Sequence, residues 1–153
     1  MGLAKFRYSL QSILNIKLKM ETQAKQDFSA AQNALWEEQE RLETLERRKA
    51  EYERMAGKLR TGNLRIRDIE DNKNAILLMG QYIVEQQEQV AAAERRVEAA
   101  REALAEVMKE RKTHETLKEK AFEAFLQEEN KLESKAVDEL TSYTYGRKKA
   151  GEA

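Results

Sequence analysis

The sequence predicts an all-α fold, a long two-helix antiparallel coiled-coil hairpin with the C-terminal helix overhanging its partner. Three observations predict it: apolar residues at seven-residue intervals, the absence of proline, and one interruption with two glycines between residues 57 and 63. A seven-residue repeat places side chains along one narrow stripe of a helix, which suits pairing with another helix better than enclosing a globular core. Proline breaks helices through its ring clash and missing donor, and no such break divides the predicted helices.

The first coiled-coil helix is predicted over residues 1–59, with regular structure from about residue 5. Phe6, Leu10, Ile13 and Leu14 repeat at helical spacing near its start. Two heptad series follow, at Phe28, Leu35, Leu42, Lys49 and Ala56, and at Ala24, Ala31, Glu38, Leu45, Tyr52 and Leu59. These positions and their counterparts in the second helix form the predicted contact line, here named the seam. Polar residues in a seam lower stability but fix its register.

A turn is predicted at residues 60–66. Gly57, Gly62 and Asn63 are expected to supply positive φ angles and the C-cap of the first helix. Asp68 is expected to favour the start of the second helix. A short turn between long helices favours antiparallel pairing, and folding about residue 62 pairs residues whose numbers sum to about 124.

The second coiled-coil helix is predicted over residues 67–140. Its seam has one series at Ile69, Ile76, Ile83, Val90, Val97, Leu104, Arg111, Lys118, Phe125 and Leu132, and another at Met79, Gln86, Ala93, Ala100, Val107, His114 and Ala121. The shorter first helix runs out near residue 120, so the overhang is predicted to begin at about residue 121. Residues 141–153 contain the run Arg147, Lys148 and Lys149 and are predicted to form a flexible basic tail.

The predicted overhang is apolar, because it contains Phe122, Phe125, Leu126 and Leu132. A two-helix structure has no thick core in which to bury them. Grouped apolar side chains on a surface mark binding sites more often than chance exposure does, so these four residues are candidates for partner binding.

Residue types that carry chemistry are scarce. The chain has no cysteine and a single histidine, His114, which is expected to be a partly buried seam residue. We therefore predict no catalytic residues, no metal site and no cofactor. The 28 basic and 28 acidic residues balance, which argues against nucleic-acid or direct membrane binding. No signal peptide or membrane-spanning run is predicted.

A row of four glutamates in the second helix, the acidic row, has two possible explanations. Glu94, Glu98, Glu102 and Glu106 repeat at four-residue spacing. In the predicted register this row lies near lysines of the first helix, which would favour the antiparallel pairing; the lysines concerned are Lys17, Lys19 and Lys25. Equally, the row is explained by solvation of the surface alone.

Two segments resemble the FliJ family of bacterial flagella. The N-terminal Phe6-Arg-Tyr-Ser-Leu10-Gln11-Ser-Ile13-Leu14 is similar to the Phe-x-x-x-Leu-Gln-x-x-Leu opening of that family. Near the other end, Glu133-Ser-Lys135-Ala-Val-Asp138-Glu139 resembles the family's Glu-x-Lys-x-x-Asp-Glu stretch. Only Tyr82 stands where the family has an aromatic cluster after the turn, so the family's mid-region binding role is not carried over.

The resemblance implies a non-enzymatic, soluble component of the flagellar type III export apparatus. It implies a cytoplasmic location, with peripheral association at the inner membrane only through the export gate. The implied partners are the hexameric export ATPase, FliI-like, the export gate protein, FlhA-like, and export chaperones. With the overhang, the two motifs give the candidate partner-binding residues: Phe6, Leu10, Phe122, Phe125, Leu126, Leu132, Glu133, Lys135, Asp138 and Glu139.

Two other functions fit the sequence. A structural coiled coil could dimerise in parallel through the same heptads, and light scattering distinguishes that dimer from a monomeric hairpin. A nucleic-acid-binding helical arm would need a basic face, for which the N-terminal segment offers four basic residues without an acidic one: Lys5, Arg7, Lys17 and Lys19. Strongly salt-dependent binding of RNA would identify that arm.

Overall fold

The computed structural model describes residues 5–62 and 65–151 of the chain. These residues form two α-helices, α1 over Gln11–Leu59 and α2 over Ile66–Gly151, and no β-strand. The helices pack antiparallel, which confirms the predicted all-α hairpin. Two compact units divide the chain: the turn unit, Glu21–Val107, and the terminal unit, formed by the described residues of Met1–Met20 and Met108–Ala153.

The seam of the turn unit lies where the heptads place it. Every predicted seam position between residues 21 and 107 is buried or partly buried. The most enclosed are Ala24, Ala93 and Val97, which are exposed by 9%, 1% and 9%. The narrow contact between two helices leaves the larger seam residues only partly covered.

Two side-chain amides fix the register of the turn unit. Asn72 Nδ2 donates to the carbonyl oxygen of Tyr52 at 3.0 Å, and Gln86 Nε2 donates to the carbonyl oxygen of Glu38 at 2.9 Å. The residue numbers in each of these pairs sum to 124, as the fold about residue 62 predicts. The register prediction is therefore confirmed in this unit.

In the terminal unit, the start of α1 packs against the adjoining part of α2. Leu14 is the most enclosed residue there, at 4% exposure. Lys17 Nζ lies 2.7 Å from Glu110 Oε2, and the two side chains are only 23% and 41% exposed. Seam residues of α2 in this unit are partly buried up to Phe125, whereas Leu132 is exposed by 55%.

The turn differs from its predicted chemistry. Gly57 lies inside α1, and no described glycine has a positive φ angle. The end of α1 is instead satisfied by Thr61, whose backbone N–H and Oγ1 both donate to the Lys58 carbonyl, at 3.2 and 3.0 Å. Two bonds to the last turn therefore do the work expected of a left-handed glycine. Asn63, the third predicted turn residue, lies outside the described residues.

Both outer helix boundaries also differ from prediction. The first helix begins at Gln11 rather than near residue 5, and the second continues to Gly151 rather than ending near residue 140. No proline interrupts residues 141–151, and Gly146 alone costs only about 1 kcal/mol relative to alanine. Thr141 and Thr144 donate their hydroxyls to carbonyls four residues earlier, both at 2.8 Å. The side chains of Lys148 and Lys149 lie outside the described residues.

Candidate partner-binding surface

Three phenylalanine rings meet in the terminal unit. Phe6, in the non-helical stretch before α1, lies edge-on to Phe122, with ring centroids 5.1 Å apart and ring planes at 70°. Its centroid is 5.5 Å from that of Phe125, and the rings of Phe122 and Phe125 are 6.5 Å apart. These separations suit attractive edge-to-face and offset contacts. We name Phe6, Phe122 and Phe125 the three-ring cluster.

Because of the three-ring cluster, the uncovered part of α2 begins later in the chain than predicted. Because Phe6 covers Phe122 and Phe125, the prediction that the uncovered part starts at about residue 121 is wrong. The first helix is shorter than expected, but its non-helical leader reaches α2 in its place. Phe122 retains 43% exposure, and from residue 131 to residue 147 every side chain is exposed. We name residues 131–147 the uncovered segment.

The uncovered segment carries an apolar stripe in line with the seam. Steps of three or four residues lead from Phe125 through Glu129 to Leu132, Ala136, Leu140 and Tyr143. Residues at this spacing share one face of a helix. Leu132, Leu140 and Tyr143 are exposed by 55%, 68% and 67%. The side of α2 that faces α1 elsewhere thus continues without a partner helix among the described residues. We name these four residues the seam extension.

The remaining predicted site residues surround this stripe or lie near its base. Those of the C-terminal motif, Glu133, Lys135, Asp138 and Glu139, are all exposed within the uncovered segment. Leu126 is 44% exposed one residue beyond the cluster, and Leu10 is 38% exposed just before α1. The ten predicted residues therefore all belong to the terminal unit, and six of them lie on or beyond the last turn that Phe6 covers: Leu126, Leu132, Glu133, Lys135, Asp138 and Glu139.

A second apolar surface, in the turn unit, was missed by the sequence reasoning. Leu77 and Val84 are exposed by 59% and 56%, and Gly80 lies between them on α2. Their spacing of three and four residues places them on one face, away from the seam. Ile66, eleven residues before Leu77, is 75% exposed on the same side. The seven-residue interval from Leu77 to Val84 was the available signal. We name Leu77, Gly80 and Val84 the mid-helix patch.

Side-chain charges pair mostly within each helix. Lys25 contacts Glu21 at 3.5 Å, and Arg101 contacts Glu98 at 3.8 Å. Lys17 contacts Glu110 rather than the acidic row. The described ion pairs do not join these lysines to the acidic row, since Lys25 pairs with Glu21 on its own helix and Lys17 pairs across the helices with Glu110, four residues beyond Glu106. The solvation reading of this row fits these contacts.

Groups suited to chemistry are few among the described residues. His114 is partly buried, and within the described chain neither its Nδ1 nor the Tyr8 hydroxyl has a hydrogen-bond partner. No cluster of three or more histidine, aspartate or glutamate residues suited to a metal ion occurs in the described ranges. Nor does any helix within those ranges contain an apolar stretch of bilayer-spanning length.

These features define an all-α protein, a coiled-coil hairpin with two exposed apolar surfaces, the seam extension and the mid-helix patch. The family model described as "Flagellar FliJ protein" matches residues 6–150. The chain therefore belongs to the FliJ family, whose members are components of type III export apparatus. No curated protein matches the sequence.

A solved structure shares the fold. It is described as a YscO homolog, CT670 from Chlamydia trachomatis, and superposes with a TM-score of 0.68 at 24% sequence identity. The alignment covers 95% of this chain and 98% of that one. The similarity extends over both helices, so the two proteins share the helical hairpin.

Proposed function

We propose that this protein couples the export ATPase ring to the export gate, using the uncovered segment and the mid-helix patch as separate contact surfaces. The observation that carries the proposal is the seam extension: an apolar stripe shaped to pack against a helix and left without one. Single exposed apolar residues are ordinary on protein surfaces, but a contiguous stripe marks an interaction site.

The uncovered segment is assigned to the ATPase hexamer. A lone helix is only about 10–12 Å in diameter, so it is narrow enough to enter a central opening that a helix pair could not. Its charged flanks, including Glu133 and Asp138, are exposed. Exposed ion pairs are worth at most about 1 kcal/mol each, so contacts through these flanks permit repeated release.

The mid-helix patch is assigned to the gate protein. Leu77 and Val84, at 59% and 56%, are about as exposed as Leu132 of the seam extension, at 55%. Gly80 between them lets a partner backbone approach closely. The patch lies in the turn unit and the seam extension in the terminal unit, so each surface can be altered without touching the other. Export chaperones would use the same exposed surfaces when the ATPase or gate is not bound. The protein acts in the cytoplasm and reaches the membrane only through the gate.

Binding to the purified ATPase tests the first assignment. The variant Leu132→Ala/Leu140→Ala/Tyr143→Ala removes the apolar part of the seam extension. Its control is Val137→Ala/Tyr145→Ala, which removes side chains of 58% and 67% exposure that lie off the stripe. Truncating interface anchors costs about 2 kcal/mol or more, so the first variant should weaken the ATPase Kd at least about thirtyfold. The control should change it less than about threefold. Equal effects of the two variants would refute the seam extension as the site.

Binding to the soluble part of the gate protein tests the second assignment. Leu77→Ala/Val84→Ala should weaken gate binding and leave ATPase binding unchanged, whereas the seam-extension variant should do the reverse. Leu78→Ala, at 43% exposure but outside the patch, is the control. If the Leu77/Val84 variant binds the gate as the parent chain does, the second assignment is wrong, and the first is unaffected.

A further inference from the structure

Three lysines of α2 stand outside every ion pair that the described structure contains. Lys109, Lys112 and Lys120 are exposed, and with Thr113, Thr116 and Leu117 they line a shallow surface depression of about 400 Å³. We name these six residues the lysine patch. All six belong to the terminal unit. They lie on one side of one helix, since the other five follow Lys109 by three, four, seven, eight and eleven residues.

Each of these lysines has a carboxylate three residues away on α2, but no ion pair joins them in the described structure; the residues concerned are Glu106, Glu115 and Glu123. Positions four residues before and after each of them hold Ala105, Met108, Thr113, Thr116 and Ala124, never a carboxylate. The position four residues before a lysine, where a glutamate pairs most favourably in a helix, therefore holds no acidic residue for any of the three lysines. By contrast, neighbouring cations nearer the seam are paired, since Lys17 contacts Glu110 at 2.7 Å and Arg111 contacts Glu115 at 2.8 Å.

The surrounding unit is also basic. Residues 1–20 and 108–153 contain 14 basic and 10 acidic residues, a net charge of +4, whereas residues 21–107 contain 14 basic and 18 acidic residues, a net charge of −4. The neutrality of the whole chain thus hides a separation of charge. A cationic surface in a cationic unit raises the local concentration of anionic partners and speeds their association.

The middle of the patch is not ionic. Thr113 and Thr116 donate their hydroxyls to the carbonyls of Lys109 and Lys112, both at 3.0 Å, so these side chains fold back on α2. Leu117 is 44% exposed beside them. The middle of the surface is therefore shallowly recessed and contains one apolar side chain, and three ammonium groups surround it.

We propose that the lysine patch docks an acidic amphipathic helix of another protein, a contact beyond the two assigned above. The apolar face of that helix would cover Leu117, and its carboxylates would approach the three ammonium groups. Flanking charges of opposite sign set the partner and orientation of paired helices in this way. Nucleic acid fits less well, because the patch has no arginine or aromatic side chain for bases to stack on. A bilayer fits less well, because only Leu117 could insert.

The probe for this site is a synthetic peptide of about 20 residues with glutamates at four-residue spacing around two leucines, of a length that can form a helix. Fluorescence anisotropy measures its Kd for the full-length chain and for Lys109→Glu/Lys112→Glu/Lys120→Glu. The matched control is Lys25→Glu/Lys73→Glu/Lys131→Glu, which changes the net charge equally at exposed lysines elsewhere. The patch variant should weaken binding roughly tenfold or more, and the control less than about threefold. Leu117→Ala should weaken peptide binding severalfold, and it should do so at 0.5 M salt too, where salt screens the attraction between charges.

Equal losses in the two charge-reversed variants would overturn the proposal, because net charge alone would then explain binding. The proposal would also be overturned if an RNA duplex or phosphatidylglycerol vesicles bound more tightly than the peptide and the patch variant abolished that binding. Circular dichroism checks that both variants remain helical, and Lys109→Gln/Lys112→Gln/Lys120→Gln replaces the patch variant if the reversed charges unfold it. Since ATPase and gate binding are measured separately, failure here leaves the proposed function standing.

Discussion

Gln86 of α2 recognises the backbone of α1, because its Nε2 donates to the carbonyl oxygen of Glu38 at 2.9 Å. The same amide also contacts the Glu38 carboxylate, which in turn accepts from Arg41 at 2.7 Å. A bond to a main-chain carbonyl does not depend on the identity of the side chain opposite. Together with Asn72 and Tyr52, this contact gives the turn unit two fixed points along an otherwise repetitive seam.

Gln86→Ala should lower the free energy of unfolding by about 1 kcal/mol, since a partly buried hydrogen bond of this kind contributes about that much. Gln87→Ala is the control, because Gln87 is exposed one residue away. Urea denaturation followed by circular dichroism measures both. Equal stability of the two variants would mean that the Gln86 amide gains nothing over its interaction with water.

Asn72→Leu tests whether a buried polar residue fixes the register. Asn72 is only 8% exposed, and a leucine there should leave the free energy of unfolding unchanged or raise it. The same change should permit other alignments and association, because a buried polar residue between paired helices specifies register at a cost in stability. Light scattering measures association. Pairs of cysteines introduced into this cysteine-free chain measure alignment by cross-linking. One pair is placed to match the native register, and the other matches a register shifted by one heptad. A unique register and a monomeric mass in the variant would contradict this role.

The edge-to-face contact between Phe6 and Phe122 can be measured by a double-mutant cycle. Phe6→Ala, Phe122→Ala and the double variant should show a coupling energy of about 0.5–1.5 kcal/mol, the range for aromatic pairs. Phe6→Ala with Phe28→Ala is the control cycle, since Phe28 belongs to the turn unit, and its coupling should be near zero. Hydrogen exchange near residue 122 should increase in Phe6→Ala. A coupling of zero for the first pair would show that the leader does not hold this position in solution.

Two helical glycines should respond differently to alanine. A Cβ added at Gly80 or Gly146 would meet nothing within 4 Å, so neither substitution introduces a clash. Gly80→Ala should raise the free energy of unfolding by up to about 1 kcal/mol, because alanine is the better helix former. Gly146→Ala should raise helical content without moving the main unfolding transition, because every side chain of the uncovered segment is exposed. A shift of that transition by Gly146→Ala would show that the segment unfolds together with the hairpin.

Much of this structure follows from periodicity. Burial along a two-helix contact repeats every seven residues, so the heptads identify seam residues such as Val97 directly, and the turn position sets the register. Phe6 shows the limit of that reasoning. Its spacing to Leu10 and Leu14 fits a helix, yet Phe6 lies in a non-helical leader, because a ring contact with α2 is a non-local interaction that periodicity does not encode.

The missed surfaces share one cause. Leu77 and Val84 lie off the seam, where the heptad pattern predicts solvated side chains, so the pattern does not mark them as a surface despite their seven-residue interval. The lysine patch was overlooked for a similar reason, since its distinguishing property is the absence of carboxylates at four-residue spacing. The turn glycines illustrate the reverse error: composition correctly located the turn, but Thr61 rather than a positive φ angle completes it.

The uncovered segment is the end of α2, without a packed partner helix among the described residues, and helices that lack tertiary packing are marginal in water. Its winding and unwinding should therefore be fast and nearly independent of the remainder, and a calorimeter should record a shallow early melt before the main peak. Capture by a partner would then include the final ordering of these turns, so association should show a large negative heat capacity change and an unfavourable entropy. That entropic loss would lower the affinity of the segment for a partner and shorten the residence time of the complex.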